Sequence, residues 1–450
     1  MRELLFTAFL SVCATLAAQP RILTIAECEA LALQNNKEIQ AAARQIQSME
    51  FQTKSARGNF LPNISADALG LYNTGEGNMK IEGGNLPVLT MGADGIPVPS
   101  GAFAYFPGLD LGYKIGPFFN GGVKITQPVY MGGRISAGYR MAKLGLGIAR
   151  ENRRLTESDV RLDVANAYAG AVKAQELDSV AMKYKEVLTE LLKNVESGVR
   201  NGMATRNDLL KVQVRINEAD LMIMRADNAS RLARMNLCHT IGLPLDSLIG
   251  IVAEYPDVET RTSAAHGDIT SRPEYRMLES QVEMAAQQVK YERAAMLPQV
   301  GVQAGYMYTN GLKLNGQRLF DNGSFNVALS VSIPIYTFGV NSNKVKAAHA
   351  RQQQLRLERE HAGEAMQLQL AQASDNLNEM FAEVEVADLS LSQADENMRV
   401  SGRQYSAGME TLADYLEAQI LWRQAYQTKV EARFKLYTTY IDYLKAAGRL

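Results

Sequence analysis

The sequence predicts a mainly α-helical protein with a membrane β part, built from one helix, hairpin and long-helix-pair unit that occurs twice. Three observations predict it. Short landmarks recur at constant offsets along the 450 residues; the proline-free stretches between them are longer than any helix a compact globule uses; and four further segments change their apolar period from about 3.6 to 2.

The recurrence is explicit in two places. Gln127-Pro128-Val129-Tyr130-Met131-Gly132-Gly133 matches Ile333-Pro334-Ile335-Tyr336-Thr337-Phe338-Gly339, with the Pro, Tyr and final Gly pairs 206 residues apart. Gly202-Met203-Ala204-Thr205-Arg206-Asn207-Asp208-Leu209-Leu210 matches Gly408-Met409-Glu410-Thr411-Leu412-Ala413-Asp414-Tyr415-Leu416 through five identities, again at 206. The stretch between the two landmarks therefore has one length in both copies. Upstream, Leu61-Pro62 answers Leu297-Pro298 at 236, so 30 extra residues lie between the Leu-Pro and Pro-x-Tyr signals of the first copy.

Each copy opens with a helix, expected from Glu27 to about Arg57 and from Glu274 to about Ala295. Long helices follow the hairpins, from Gly133 to about Glu196 and from Gly339 to about Val400. In the first of these, Val180, Tyr184, Val187, Leu191 and Val195 step by threes and fours, the seam of helix-on-helix packing. Gly198, Gly202 and Gly408 suit the turns, and the returning helices run from about Asp208 to Thr240 and from about Asp414 to Lys445. A helix of about 62 residues is on the order of 90 Å long. An extended coiled coil without any channel would satisfy the helices equally well.

The strands bear on the membrane. Val300, Val302, Ala304, Tyr306 and Tyr308 alternate with Gln299, Gly301, Gln303, Gly305 and Met307, and Phe325 to Tyr336 alternates likewise. In the first copy Val123 to Val129 does the same, and Asn63 to Tyr72 does so poorly. Strands of about 10 residues with one apolar and one small or polar face suit a membrane-spanning barrel, whereas the competing reading is a soluble sandwich sheet. Four strands cannot close on themselves, because the smallest membrane barrels have eight and an open edge in lipid is costly. Two, three or four copies would supply eight, twelve or sixteen strands. The Gly- and Pro-rich stretch from Asn73 to Pro117, with Phe103, Tyr105, Phe106 and Tyr113, is far longer than an ordinary hairpin connection. It is expected to be an extracellular loop narrowing the outer mouth; Asn310 to Gly323, its counterpart, is short and polar.

Arg2, the apolar run Leu4 to Val12 and the small residues Ala14 to Ala18 read as a secretory signal peptide over 1–17. Cys13 opens a lipidated alternative, against which Val12 stands where lipidation signals carry Gly, Ala or Ser. Cys28 and Cys238 are read as separate buried thiols, with a disulfide as the alternative in an oxidising compartment. The formal charge of -1, with signs mixed along the chain, excludes a phosphate-tracking surface and hence a nucleic-acid partner. His239, His266, His349 and His361 have no metal-ligand spacing, and neither a nucleophile elbow nor a phosphate loop occurs, so no enzyme activity and no cofactor are expected.

The order of elements, the duplication, the Leu-Pro entry to each strand pair, the Pro-x-Tyr exit and the Gly-Met-x-Thr-x-x-Asp turns together resemble the TolC-like outer-membrane efflux family. The resemblance covers nearly the whole chain after the signal. It implies a homotrimer whose twelve-stranded β-barrel sits in the outer-membrane lipid of a Gram-negative cell, continuous with a twelve-helix periplasmic α-barrel. Cargo, small molecules or proteins, would arrive from an inner-membrane pump through a periplasmic adaptor, as in tripartite efflux or type I secretion. The alternative is an exported structural or adhesive coiled-coil protein without a pore. On this reading 18–240 is the first repeat, with strands near 61–72 and 119–131 and the outer loop over 73–117. Residues 241–272 form an equatorial segment between the repeats, and 273–450 is the second repeat, with strands near 298–309 and 324–336.

The resemblance also implies a site. Family members close the periplasmic mouth at the helix tips, and Asp414 and Glu417 match an acidic ring there, on one helix face by their i, i+3 spacing. Stacked rings of carboxylates would favour cations and repel one another when closed. Asp208 is the counterpart of Asp414. Both aspartates also suit a helix N-terminus; the two readings stand level for Asp208, and gating is favoured for Asp414 with Glu417. Tyr405 resembles a position that links neighbouring helices in the closed state, while Glu410 departs from the basic residue some members place in that latch. Gly202, Met203, Thr205, Gly408, Met409 and Thr411 form the tips expected to dock the adaptor, against a reading as ordinary turn chemistry.

Overall fold

The computed structural model describes residues 21–72, 74–256, 258, 267–314 and 317–450. The signal peptide expected over 1–17, with Cys13, lies outside them, as do parts of the segment between the repeats. The chain divides into two compact units: Met1–Glu50, Lys143–Met284 and Gln352–Leu450 form one, and Phe51–Ala142 with Ala285–Arg351 the other.

The helices keep the period of the repeat. α3 (Arg134–Arg200) and α6 (Val340–Ser406) have 67 residues each, and α4 (Arg206–Thr240) and α7 (Leu412–Ala446) have 35 each. The shorter α2 (Lys37–Gly58) and α5 (Pro273–Ala294) have 22 each. The opening helix of the first copy is in two pieces, however. α1 (Ile25–Asn35) starts on a capping box of Thr24 and Glu27, and Asn36 then takes an extended backbone. Its Oδ1 accepts the Glu38 N–H at 2.8 Å, a local bond that competes with the helix and starts α2 afresh.

In the helical unit the seam of α3 runs through Tyr184, Leu188, Leu191 and Val195 against Val212 and Ala219 of α4 and Leu412, Leu416 and Trp422 of α7. Leu188, fully buried, takes the place the sequence reading gave to Val187. A second cluster joins Leu23, Cys28 and Ala32 to Val160, Val164 and Tyr168 of α3 and Leu237 and Cys238 of α4. Both cysteines are free and buried. The short β1 (Arg21–Leu23) pairs in parallel with β7 (Ile249–Ile251), which ties the start of α1 to the segment between the repeats.

The other unit is centred on an antiparallel sheet in the order β2 (Asn63–Leu71), β6 (Leu109–Met131), β8 (Gln299–Leu314) and β9 (Gln317–Ser332). Register sorts its side chains cleanly. Ile64 faces Ile125, Ala304 and Val327 in turn, and Ala66 faces Val123, Tyr306 and Phe325, so one face is apolar across all four strands. The opposite face carries Ser65, Lys124, Gln303 and Ala328, with a Lys124 to Asp67 ion pair at 2.7 Å.

Four strand limits differ clearly from the sequence reading. β6 begins ten residues before the expected position, and β8 and β9 extend through most of the expected connection between them. β9 stops at Ser332, ahead of Pro334, which has no N–H to donate to a ladder. The stretch expected as an outer loop is itself ordered: β3 (Glu76–Ile81) extends the pairing along β6, and β4 (Gly84–Met91) pairs with β5 (Pro97–Phe106).

Candidate functional site

The two helix tips are built alike. At the first, Gly202 takes a left-handed φ of 73°, and the Met203 N–H donates to the Gly198 carbonyl at 2.7 Å, ending α3. Thr205 then caps α4: its Oγ1 accepts from the Asp208 N–H at 3.2 Å, while Asp208 Oδ2 accepts the Thr205 N–H at 3.2 Å and hydroxyl at 2.6 Å. At the second, Gly408 has φ 73°, Met409 N–H donates to the Gln404 carbonyl, and Thr411 and Asp414 form the same reciprocal box at 3.3 Å. Each pair satisfies orphan donors of a helix start. The Thr205 hydroxyl, helped by its N–H and by Lys211, holds the Asp208 carboxyl below the usual aspartate range.

An aromatic pair closes the second tip. Tyr405 stacks on Tyr415 with ring centroids 5.6 Å apart, and Gly402 leaves the room, since a Cβ there would stand 3.2 Å from the Tyr415 ring. Burial and the nearby Asp208 carboxylate both raise the Tyr405 phenol, so the two hairpins face each other at this level. Glu417 is exposed and lines a groove between α4 and α7 together with Asn207, Lys211, Arg215 and Glu218. It is thus set beside basic groups of the other repeat, and no hydrogen bond joins it to Asp414 among the described residues. Met203 and Met409 are 80% and 77% exposed at the outermost turns.

Sequence reasoning missed Tyr415, the groove cations, and the bond from Trp422 Nε1 to Asp395 Oδ1 at 2.5 Å. The chain's one Trp was the only available signal for the last of these. It also missed Gln419, fully buried on α7 with both amide atoms unpartnered.

A duplicated strand and long-helix fold, an apolar-faced antiparallel sheet and helix tips with paired caps define an outer-membrane channel protein. The chain belongs to the outer membrane efflux protein family, whose description matches residues 30–243 and 269–449. It is 24% identical over 338 residues to the pyoverdine export outer membrane protein OpmQ of Pseudomonas aeruginosa, covering 73% of this chain and 70% of that one. It is 22% identical to the alkaline protease secretion protein AprF of the same organism, spanning 69% of this chain and 64% of that relative. The crystal structure of CusC, which forms a transmembrane channel, shares the fold with a TM-score of 0.77 at 16% identity, over 96% of this chain and 95% of that one. The protein is an outer-membrane export channel, and the reading as a coiled-coil protein without a pore gives way. No helix among the described residues is long and apolar enough to cross a membrane.

Proposed function

We propose that three copies of this chain close one twelve-stranded barrel and one twelve-helix tunnel, and that a periplasmic adaptor joins this tunnel to an inner-membrane pump. The observation that carries the reading is the four-stranded sheet with an apolar face. Among the described residues neither the outer edge of β2 nor that of β9 has a partner strand, and an edge in lipid requires one. A stripe on α4 supports it: Leu210, Val214, Leu221 and Met224 repeat at three-four spacing, yet are about half exposed or more in the single chain. Such a seam needs a facing helix.

In the closed state Asp414 and Glu417, with Asp208 and Tyr405, form the periplasmic gate, and the turns at Gly202, Met203, Thr205, Gly408, Met409 and Thr411 dock the adaptor. Exposed methionines at both turns fit a surface that adapts to a partner. The β4–β5 hairpin narrows the outer mouth, and 241–272 belts the tunnel. Cargo is a small molecule or a protein.

The purified oligomer in planar bilayers tests this. The expected result is a three-chain mass in detergent and single-channel conductance; a folded oligomer that never conducts overturns it. Asp414→Ala with Glu417→Ala is expected to raise conductance and weaken cation preference, and unchanged values would leave Asp414 with its capping role alone.

A further inference from the structure

Where strands hand over to helices, the sheet-bearing unit carries a charge imbalance that the chain as a whole lacks. Its helical stretches 51–58, 134–142, 285–294 and 340–351 hold nine lysines and arginines against the single carboxylate Glu292, in a chain of 47 basic and 48 acidic residues. Three of the nine converge. Arg140 of α3 and Lys290 and Arg293 of α5 line one pocket together with Gly132, Gly133 and Gln287.

The pocket has the features of a built anion site. Gly132, at φ 62°, passes so close to α5 that a Cβ would stand 2.6 Å from the Ala294 carbonyl oxygen. That approach sets the start of α3, whose first N–H groups lack helical acceptors, beside the three cations. No carboxylate pairs with Arg140, Lys290 or Arg293 among the described residues. Gln287 is only 6% exposed, and its Oε1 has no hydrogen-bond partner. The cations and the helix start match a phosphodiester; the orphan oxygen calls for a donor carried by the same molecule.

We propose that this pocket binds the headgroup of an anionic phospholipid, with the phosphodiester on Arg140, Lys290 and Arg293 and a headgroup hydroxyl donating to Gln287 Oε1. The inference rests on the outer-membrane placement of the sheet. Aromatic side chains at the same strand ends favour lipid over free phosphate or cargo. Phe60 meets Tyr139 edge-on at 5.9 Å, and the exposed Tyr336 and Phe338 meet at 4.6 Å, as rings at a bilayer interface do. An apolar sheet, an aromatic belt and a basic collar follow one another along the chain, the order in which a strand leaving lipid meets headgroups. The repeat-equivalent set, drawn from α2 and the start of α6, keeps the cations as Lys346, Lys54 and Arg57 but has Phe51 for Gln287 and Phe338 for Gly132. Its set supplies charge without the amide.

Native mass spectrometry of the purified oligomer, with phosphatidylglycerol or phosphatidylcholine added in neutral detergent, tests the assignment. About one phosphatidylglycerol per chain is expected to be retained, and Arg140→Gln with Lys290→Gln and Arg293→Gln to lower retention at least tenfold. Gln287→Leu is expected to weaken phosphatidylglycerol more than phosphatidic acid, which lacks the headgroup hydroxyl. Equal retention of the two lipids, indifference to the triple substitution, or displacement by millimolar inorganic phosphate would each overturn it. The same spectra report the number of chains, so loss of the three-chain mass would count against the trimer while lipid per chain is still read.

Discussion

At Thr205 and Thr411 one hydroxyl both accepts from and donates to the same aspartate, and this reciprocity gives the tips their shape. Replacing Thr411 by Ala removes one half of the box and is expected to cost about 1 kcal/mol of local stability, seen as faster amide exchange over Tyr415 and Leu416. Asp208 adds a pH dependence. Its carboxyl is held below the ordinary value chiefly by the Thr205 hydroxyl, so its contribution is present above the ordinary aspartate pKa and is lost as the pH falls through the lowered one. Exchange protection at Leu209 and Leu210 is therefore expected to fall below about pH 4, and Thr205→Val to flatten that change. Cys28 makes a chemical counterpart: burial pushes its thiol up to about 12, so iodoacetamide at about pH 8 is expected to spare it in the folded protein and label it after denaturation. Early labelling would show that the cluster around Leu23 opens.

Equal helix lengths are the main property at the scale of elements. Two hairpins of 67 and 35 residues reach the same level only if both keep their length. Deleting one heptad from each arm of the α3–α4 hairpin alone is expected to abolish conductance gating. The same deletion in both hairpins is expected to keep it. Within the seam, Leu188→Ala should lower stability by about 3 kcal/mol, a buried leucine truncated in a packed core, measured by thermal melts in detergent. These lengths were legible beforehand because Pro-x-Tyr and Gly-Met-x-Thr-x-x-Asp bracket them, and the caps were legible because Thr and Asp stand three apart. Other features were not. Asn36 splits the first helix through one side-chain bond that no periodicity reveals. β3, β4 and β5 alternate poorly because glycine and proline interrupt them, while pairing of β3 along β6 and of β4 with β5 supplies the order. The Tyr405–Tyr415 stack depends on how the two arms of one hairpin cross at its tip, and the groove cations near Glu417 on which helices of the two repeats meet, information that lies outside either repeat.

For the whole molecule, the exposed α4 stripe separates assembly from folding. Val214→Asp with Leu221→Asp is expected to leave the helical content and melting of the single chain intact while the three-chain mass disappears, the reverse of Leu188→Ala. A loss of folding would instead assign the stripe to the chain's own core. The parallel pairing of β1 with β7 has a consequence of another kind. It joins Leu23 to Ile251, so the first strand among the described residues waits for a partner 228 residues downstream, across the whole first repeat. Contacts within one helical hairpin close short loops and form early, whereas this pair closes a much longer one and gains only three residues of ladder for it. The order of events that follows is hairpins before strap, which leaves α1 and its Cys28 thiol among the last parts of the helical core to be sealed against Cys238 of α4.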